Sequence, residues 1–266
     1  MKPRRFAVIG DPVAHSKSPA MHMAAFRALG LPHTYEAIRV TAEELSRVVQ
    51  ALREGQYDGL NVTVPHKQAA LALADDVAVP GTAAANTLVR TADGRVVAHN
   101  TDAPALAEEL RLLAGPGASW ASRRALVLGS GGAALAAVAA LRSLGSVDVV
   151  VRARRPRDDA TQPWQPSPGS EAQTLAVVQA TSAGMTGGDP GDPLVDVVAW
   201  DALAPDAVAL DVVYAPPQTP FLAAARARGL RHANGLGMLA RQGALAFELW
   251  LGIPAPLGVM RAALES

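Results

Sequence analysis

The stretch Gly129-Ser130-Gly131-Gly132-Ala133 brings together residue types that can close around a phosphate. Glycines let the backbone approach a pyrophosphate, and a helix N-terminus behind them offers free N–H groups and the positive end of a dipole. A glycine cluster also serves plain packing at many strand-to-helix turns, so its flanks matter. Ala125 to Leu128 is an apolar run that reads as a buried strand, Ala133 to Leu141 reads as a helix ending near Gly145, and Val147 to Val151 reads as a second strand. Strand, glycine turn, helix and strand within about 30 residues make the βαβ unit that binds dinucleotides. At the end of its second strand an Asp or Glu usually meets a free ribose 2′-hydroxyl. Arg152-Ala153-Arg154-Arg155 stands there instead. A planar guanidinium donates two hydrogen bonds to phosphate oxygens, so the run favours NADP over NAD; a solvated basic loop is the plain alternative.

A second set of polar residues lies in the first half. Ser16 and Ser18 follow the first strand. Asn61, Thr63 and Lys67 lie on or just after the strand at Leu60; Asn86 begins a hairpin, and Asp102 follows its second strand. Ligands of open α/β sheets bind at the carboxyl ends of strands. Hydroxyls, amides, one cation and one anion suit a small, hydroxylated molecule bearing a carboxylate. Oxidising an alcohol with a nicotinamide requires the hydroxyl proton to leave as hydride departs. A lysine can hold or relay that proton, and a carboxylate can accept and orient it, so Lys67 and Asp102 form a candidate dyad. Spacing alone does not assign the two roles. Each residue also has a structural reading: Ser18 and Asp102 as N-caps, Lys67 as a solvent-facing helix lysine, Asn61 and Thr63 as the wet face of a sheet. Gln242 occupies a helix stripe where an apolar residue is expected.

The elements that must position these groups follow from periodicity. Phe6 to Ile9 reads as a strand. Ser18-Pro19 reads as an N-cap followed by proline at the first helical position, opening a helix that ends at Gly30. Thr41 and Glu44 form a capping box, and Gly55 closes that helix. Gly59 to Pro65 alternates, with Leu60, Val62 and Val64 facing one way and Asn61 and Thr63 the other. Asp93-Gly94 turns a hairpin between Asn86–Val89 and Val96–His99. Gly115 to Ser119 is the best linker candidate. Strands at Leu175–Val178 and Val208–Val213, a helix starting at Thr219-Pro220, an Asn234-Gly235-Leu236-Gly237 turn, a long helix from Met238 to Leu249 and a short last one complete the chain.

Bulk properties narrow the function classes. The chain has 266 residues, half of them apolar, enough for one large or two modest domains. Lys plus Arg and Asp plus Glu are equal at 24, so no net field selects nucleic acid or an anionic membrane. Cysteine is absent, which excludes disulfides, thiolate metal sites and cysteine nucleophiles and fits a reducing cytoplasm. The histidines lack the paired helical spacing of a zinc site, so no metal is expected. Phe6 to Ile9 is too short for a signal-peptide core, and no transmembrane span is expected. Oligomeric state, monomer or homodimer, stays open.

In their order, these motifs are similar to those of the shikimate dehydrogenase family. The resemblance runs through Gly10-Asp11-Pro12-Val13-Ala14-His15-Ser16-Lys17-Ser18-Pro19, Asn61-Val62-Thr63-Val64-Pro65-His66-Lys67, Asn86-Thr87, Asn100-Thr101-Asp102 and Gly129 to Ala133. It continues through Ala180 to Met185, Asp211-Val212-Val213-Tyr214, Thr219 to Leu222 and Asn234 to Gly243. It implies an α/β chain: an N-terminal substrate domain, residues 1–103 completed by 239–266, a Rossmann-type NADP domain, residues 104–238, and a cleft between them. It implies reversible NADPH-dependent reduction of 3-dehydroshikimate to shikimate on the route to aromatic amino acids, in the cytoplasm. Carried over position by position, Lys67 and Asp102 are the catalytic pair. Ser16, Ser18, Asn61, Thr63, Asn86, Tyr214 and Gln242 hold shikimate. Gly129, Ser130, Gly131, Gly132, Ala133, Arg152, Ala153, Arg154, Arg155, Val212, Gly235 and Met238 lie along NADP. The chain departs from the family pattern at Val151, Ala153 and Gln179, among others. The rival expectations are a quinate/shikimate dehydrogenase using NAD and a non-catalytic NADP-binding sensor on the same fold.

Overall fold

Phe6, Ala7, Val8 and Ile9 are all buried because their strand has a layer of helix or aromatic side chains on each face. The structure, a computed structural model, describes residues 2–146, 148–154, 161–164, 171 and 173–265. Val147, named in the second βαβ strand, and Arg155 lie outside them. The chain divides into two compact units: everything up to Asp102 together with Leu239 onward, and Ala103–Met238.

The first unit runs β1 (Arg5–Gly10), α1 (Ser18–Ala28), β2 (Thr34–Arg39), α2 (Leu45–Arg53), β3 (Gly59–Val62), α3 (Lys67–Leu73), β4 (Asp76–Val77), β5 (Thr87–Arg90) and β6 (Val96–His99). Helix α4 (Asp102–Ala114) then leads into the second unit: β7 (Arg124–Leu128), α5 (Gly132–Ser143), β8 (Asp148–Arg152), β9 (Thr161–Gln162), β10 (Thr174–Gln179), β11 (Val208–Asp211), α6 (Pro220–Ala227) and β12 (Arg231–Ala233). Helix α7 (Leu236–Leu251) carries the chain back, and α8 (Leu257–Glu265) ends it.

In the first unit the sheet order is β2-β1-β3-β5-β6-β4. β1 pairs in parallel with β2 and β3, while β5 pairs antiparallel with β3 and β6. Ala7, Ile9, Leu60 and Val62 point to a core shared with Leu45, Val49 and Leu52 of α2 and Ala70 of α3. The opposite face holds an aromatic cluster in which Phe6 stacks on Trp250 at 4.9 Å and Phe26 meets Phe247 at 5.7 Å. Side chains alternate along a strand, so Asn61, between Leu60 and Val62, must face this second layer.

In the second unit all strands are parallel, in the order β12-β11-β10-β7-β8-β9. Read from the other edge this is the Rossmann order, whose switch point lies between β7 and β10. Both strands are buried almost throughout, as parallel strands covered on two faces must be.

Several boundaries differ from the sequence reading. The alternation at Gly59 stops as strand at Val62: Thr63 starts a turn closed by the His66 N–H donating to its carbonyl, and Val64 is 63% exposed. Ser18 is not a cap but the first helical residue, and no side chain caps α1. Half of the capping box forms: the Glu44 carboxylate accepts from the Thr41 N–H at 3.0 Å. Gly115 to Ser119 is a loop inside the second unit, and the chain passes between units at Asp102–Ala103 and Met238–Leu239. The Gly235–Gly237 turn is shorter than expected because α7 already begins at Leu236. Strands β2, β4, β9 and β12 went unread: three have two or three residues, and β2 is an edge strand without a strict apolar alternation.

Candidate active site

Lys67 is the first residue of α3 and Asp102 the first of α4. Far apart in sequence, they meet: Lys67 Nζ lies 2.5 Å from Asp102 Oδ2, with side chains 15% and 6% exposed. A carboxylate at a helix start is stabilised by the free N–H groups there, whereas a lysine at a helix start is not. The ion pair offsets that mismatch at α3.

Asn86 fixes the pair from the other side. Its Nδ2 donates to Asp102 Oδ1 at 2.9 Å and to Thr101 Oγ1 at 2.9 Å, and lies 3.3 Å from Gln242 Oε1. Its Oδ1 accepts from the Thr101 N–H at 2.7 Å. Gln242, on α7, donates to its own helix at the Leu239 carbonyl, so its misplaced polarity in the apolar stripe has a partner in Asn86. Asn61 is buried beneath, giving its Nδ2 to the Asn86 carbonyl at 3.2 Å and Thr87 Oγ1 at 3.0 Å.

Ser16 is half-buried, and its Oγ accepts from the Ser18 N–H at 3.3 Å. Ser18 is buried. Thr63 is half-buried with its methyl against Gly10, where a Cβ would collide with it. Lys17, between the serines, donates to the Leu264 carbonyl at 2.6 Å and so ties that loop to the last turn of α8. The first unit thus collects Ser16, Ser18, Asn61, Thr63, Lys67, Asn86, Asp102 and Gln242. Tyr214 belongs to the second unit, in the loop after β11, and is half-buried.

In the second unit, Gly129 leaves β7 at the switch point with φ +121°. A Cβ there would come within 2.9 Å of the Ala180 carbonyl after β10. Gly131 precedes α5 in extended backbone without a side-chain cap, and a Cβ on it would meet open space. Ser130, Gly131, Gly132 and Ala133 are half-exposed. The first turn of α5 carries no acid, so its free N–H groups face that space as an anion cradle.

Arg152 and Arg154 make separate contacts. Arg152, proposed for the 2′-phosphate, is 1% exposed, paired with Glu171 at 2.5 Å and donating to the Val197 carbonyl at 2.9 Å. As the last residue of β8 it points inward, and Ala153 after it is buried too. Arg154 turns outward: 62% exposed, bonded to Asp189 at 2.7 Å, with its guanidinium 5.4 Å from the Trp164 ring. Gly235 and Met238 are buried and Val212 half-buried. A Cβ on Gly235 would strike the Val212 carbonyl, so this glycine is required for close backbone packing. Gln179, the departure from the family pattern, is buried and donates to Asp211 Oδ1 and to the Ala183 carbonyl, both at 3.1 Å.

Among the described residues no group of three His, Asp or Glu side chains lies close enough to hold a metal ion, and no helix is long and apolar enough to cross a membrane. Sequence reasoning missed Tyr35, Thr87 and Thr101, all buried against the dyad's supports. Thr87 and Thr101 sit inside the quoted motifs; Tyr35 had no local signal.

The family described as "Shikimate dehydrogenase substrate binding domain" matches residues 8–88, and that described as "Shikimate 5'-dehydrogenase C-terminal domain" matches residues 235–265. The shikimate dehydrogenase (NADP(+)) of Methylobacterium radiotolerans is 41% identical over 270 residues, covering 96% of this chain and 93% of that one. Among solved structures, shikimate 5-dehydrogenase from Thermus thermophilus in complex with NADP(H) and shikimate is similar at TM-score 0.84 and 37% identity, over 98% of both chains. Quinate dehydrogenase from Corynebacterium glutamicum in complex with NAD is similar at TM-score 0.85 and 28% identity, over 99% of both.

Proposed function

The chain belongs to the shikimate dehydrogenase family, and we propose that it interconverts 3-dehydroshikimate and shikimate with NADP(H), in the cytoplasm, on the route to aromatic amino acids. The observation that carries this reading is the part-buried Lys67–Asp102 pair held by Asn86. A non-catalytic sensor would have no use for it.

The roles follow from what each group has left to offer. Asp102 has Oδ2 on Lys67 and Oδ1 on Asn86. An ammonium carries three N–H donors, and Asp102 takes one of those of Lys67. Lys67 is therefore the group with a proton to give. NADPH, when bound, supplies the hydride to the substrate's carbonyl carbon. As that carbonyl becomes a hydroxyl, Lys67 Nζ gives its proton to the oxygen, and in the reverse direction takes it back. Asp102 orients Nζ and balances its charge. On this reading Ser16, Ser18, Asn61, Thr63, Asn86 and Gln242 hold the substrate's carboxylate and hydroxyls.

The second unit fits NADP: its open cradle at Gly131, ahead of α5, suits a pyrophosphate, and Arg154 suits the 2′-phosphate. The inward turn of Arg152 favours a subsidiary reading in which NAD is also accepted, more slowly. The test is nicotinamide absorbance with purified protein, pairing shikimate or quinate with NADP or NAD. Turnover with shikimate and NADP above every other pairing is expected. No turnover in any pairing, with NADP bound, would replace this reading by the sensor.

A further inference from the structure

Tyr35 takes no part in the proton transfer above, yet its hydroxyl lies where the proposed substrate residues meet. It sits on β2, 4% exposed, and donates to Asn61 Oδ1 at 2.7 Å. Asn61 spends its Nδ2 on the Asn86 carbonyl and on Thr87 Oγ1. A carboxamide has one oxygen and one NH2. With a phenol proton on one side and a carbonyl on the other, Asn61 is held in a single orientation. The ring cannot swing away, because His22 stacks flat on it, centroids 4.2 Å apart and planes within 7°. Burial pushes the phenol well above its ordinary range and holds His22 down at about 3, so Tyr35 stays a donor and its stacking partner stays neutral.

We propose that Tyr35 is a positioning residue for substrate binding: its hydroxyl sets Asn61, and through Asn61 the Asn86 backbone, before substrate arrives. This rests on the shikimate reading above. Tyr35 makes no hydrogen bond to the side chains that hold Lys67 and Asp102, so its loss weakens substrate and transition state alike. Such a loss raises KM and leaves kcat in place.

The test is a double-mutant cycle with Tyr35→Phe, which keeps the stacked ring, and Asn61→Ala, read by steady-state kinetics. Tyr35→Phe is expected to raise KM for shikimate about tenfold, the scale of a hydrogen bond or two, with kcat and the KM for NADP retained. In the Asn61→Ala background the same change is expected to add little, because the two residues act as one unit. An unchanged KM, a fall in kcat of the same size, or an equal effect in both backgrounds would overturn the proposal while leaving the shikimate reading intact. A wild-type protein that does not turn over shikimate would end that reading, and this proposal with it.

Discussion

Arg152 and Glu171 form an ion pair at 2.5 Å with both side chains 1% exposed, inside the unit whose surface the arginine run was expected to line. Taking away one member of a buried pair costs about 3–5 kcal/mol, because a charge is left without its counter-charge. Arg152→Ala is therefore expected to lower unfolding stability on that scale, measured by urea denaturation. A stable variant with a selectively raised KM for NADP would return Arg152 to the phosphate site.

Arg154 should carry the cofactor discrimination instead. Removing one hydrogen bond to a charged group costs about 1.5–3 kcal/mol, so Arg154→Ala should raise KM for NADP by about tenfold or more. The KM for NAD should stay put. Equal changes for both cofactors would separate Arg154 from the 2′-phosphate.

Lys67→Ala should cut kcat by roughly 10²- to 10⁴-fold, the usual contribution of a placed proton donor. NADP affinity, measured by fluorescence titration, should hold, since Lys67 belongs to the unit that does not carry the glycine cradle. Comparable losses in both quantities would point to a structural lysine.

Gly235→Ala tests a glycine whose neighbour cannot give way. The obstacle is the Val212 backbone carbonyl, not a movable side-chain end. Overpacking costs about 1–3 kcal/mol. A lower melting temperature is expected, and one equal to wild type would show that the Val212 segment can shift.

Asp211 gives a pH signature. Burial raises its carboxyl to about 6 from 3.8, against hydrogen bonds from Thr219 at 2.6 Å and the Val213 N–H at 2.9 Å. The folded state thus binds this proton more tightly than the unfolded state, so the Asp211 contribution to stability is fully present below about pH 4 and is lost as pH rises to about 6. Two units correspond to roughly 3 kcal/mol. The stability of wild type relative to Asp211→Asn should fall by that order between pH 4 and 7; a gap independent of pH would show that Asp211 is not raised.

Much of the chain was legible because local rules suffice there. The glycines after β7 and the apolar strands of the second unit follow from short-range sterics and from burial on both faces of a parallel sheet. The alternation of Leu60, Asn61 and Val62 predicted which face each takes, and the structure keeps it. The identities of Lys67 and Asp102 and their places at helix starts were likewise readable.

What tertiary structure alone decided is who meets whom. Lys67 and Asp102 are 35 positions apart, and Asn86 and Gln242 are 156 apart; no periodicity relates them. The direction of Arg152 was equally hidden, because the residue at a strand's end turns toward whichever partner the fold supplies, here Glu171. Tyr35 is the clearest case. An aromatic residue on an edge strand carries no sign of a buried carboxamide, and its role exists only because β1 places β2 beside β3's layer, where phenol and amide come within one hydrogen bond.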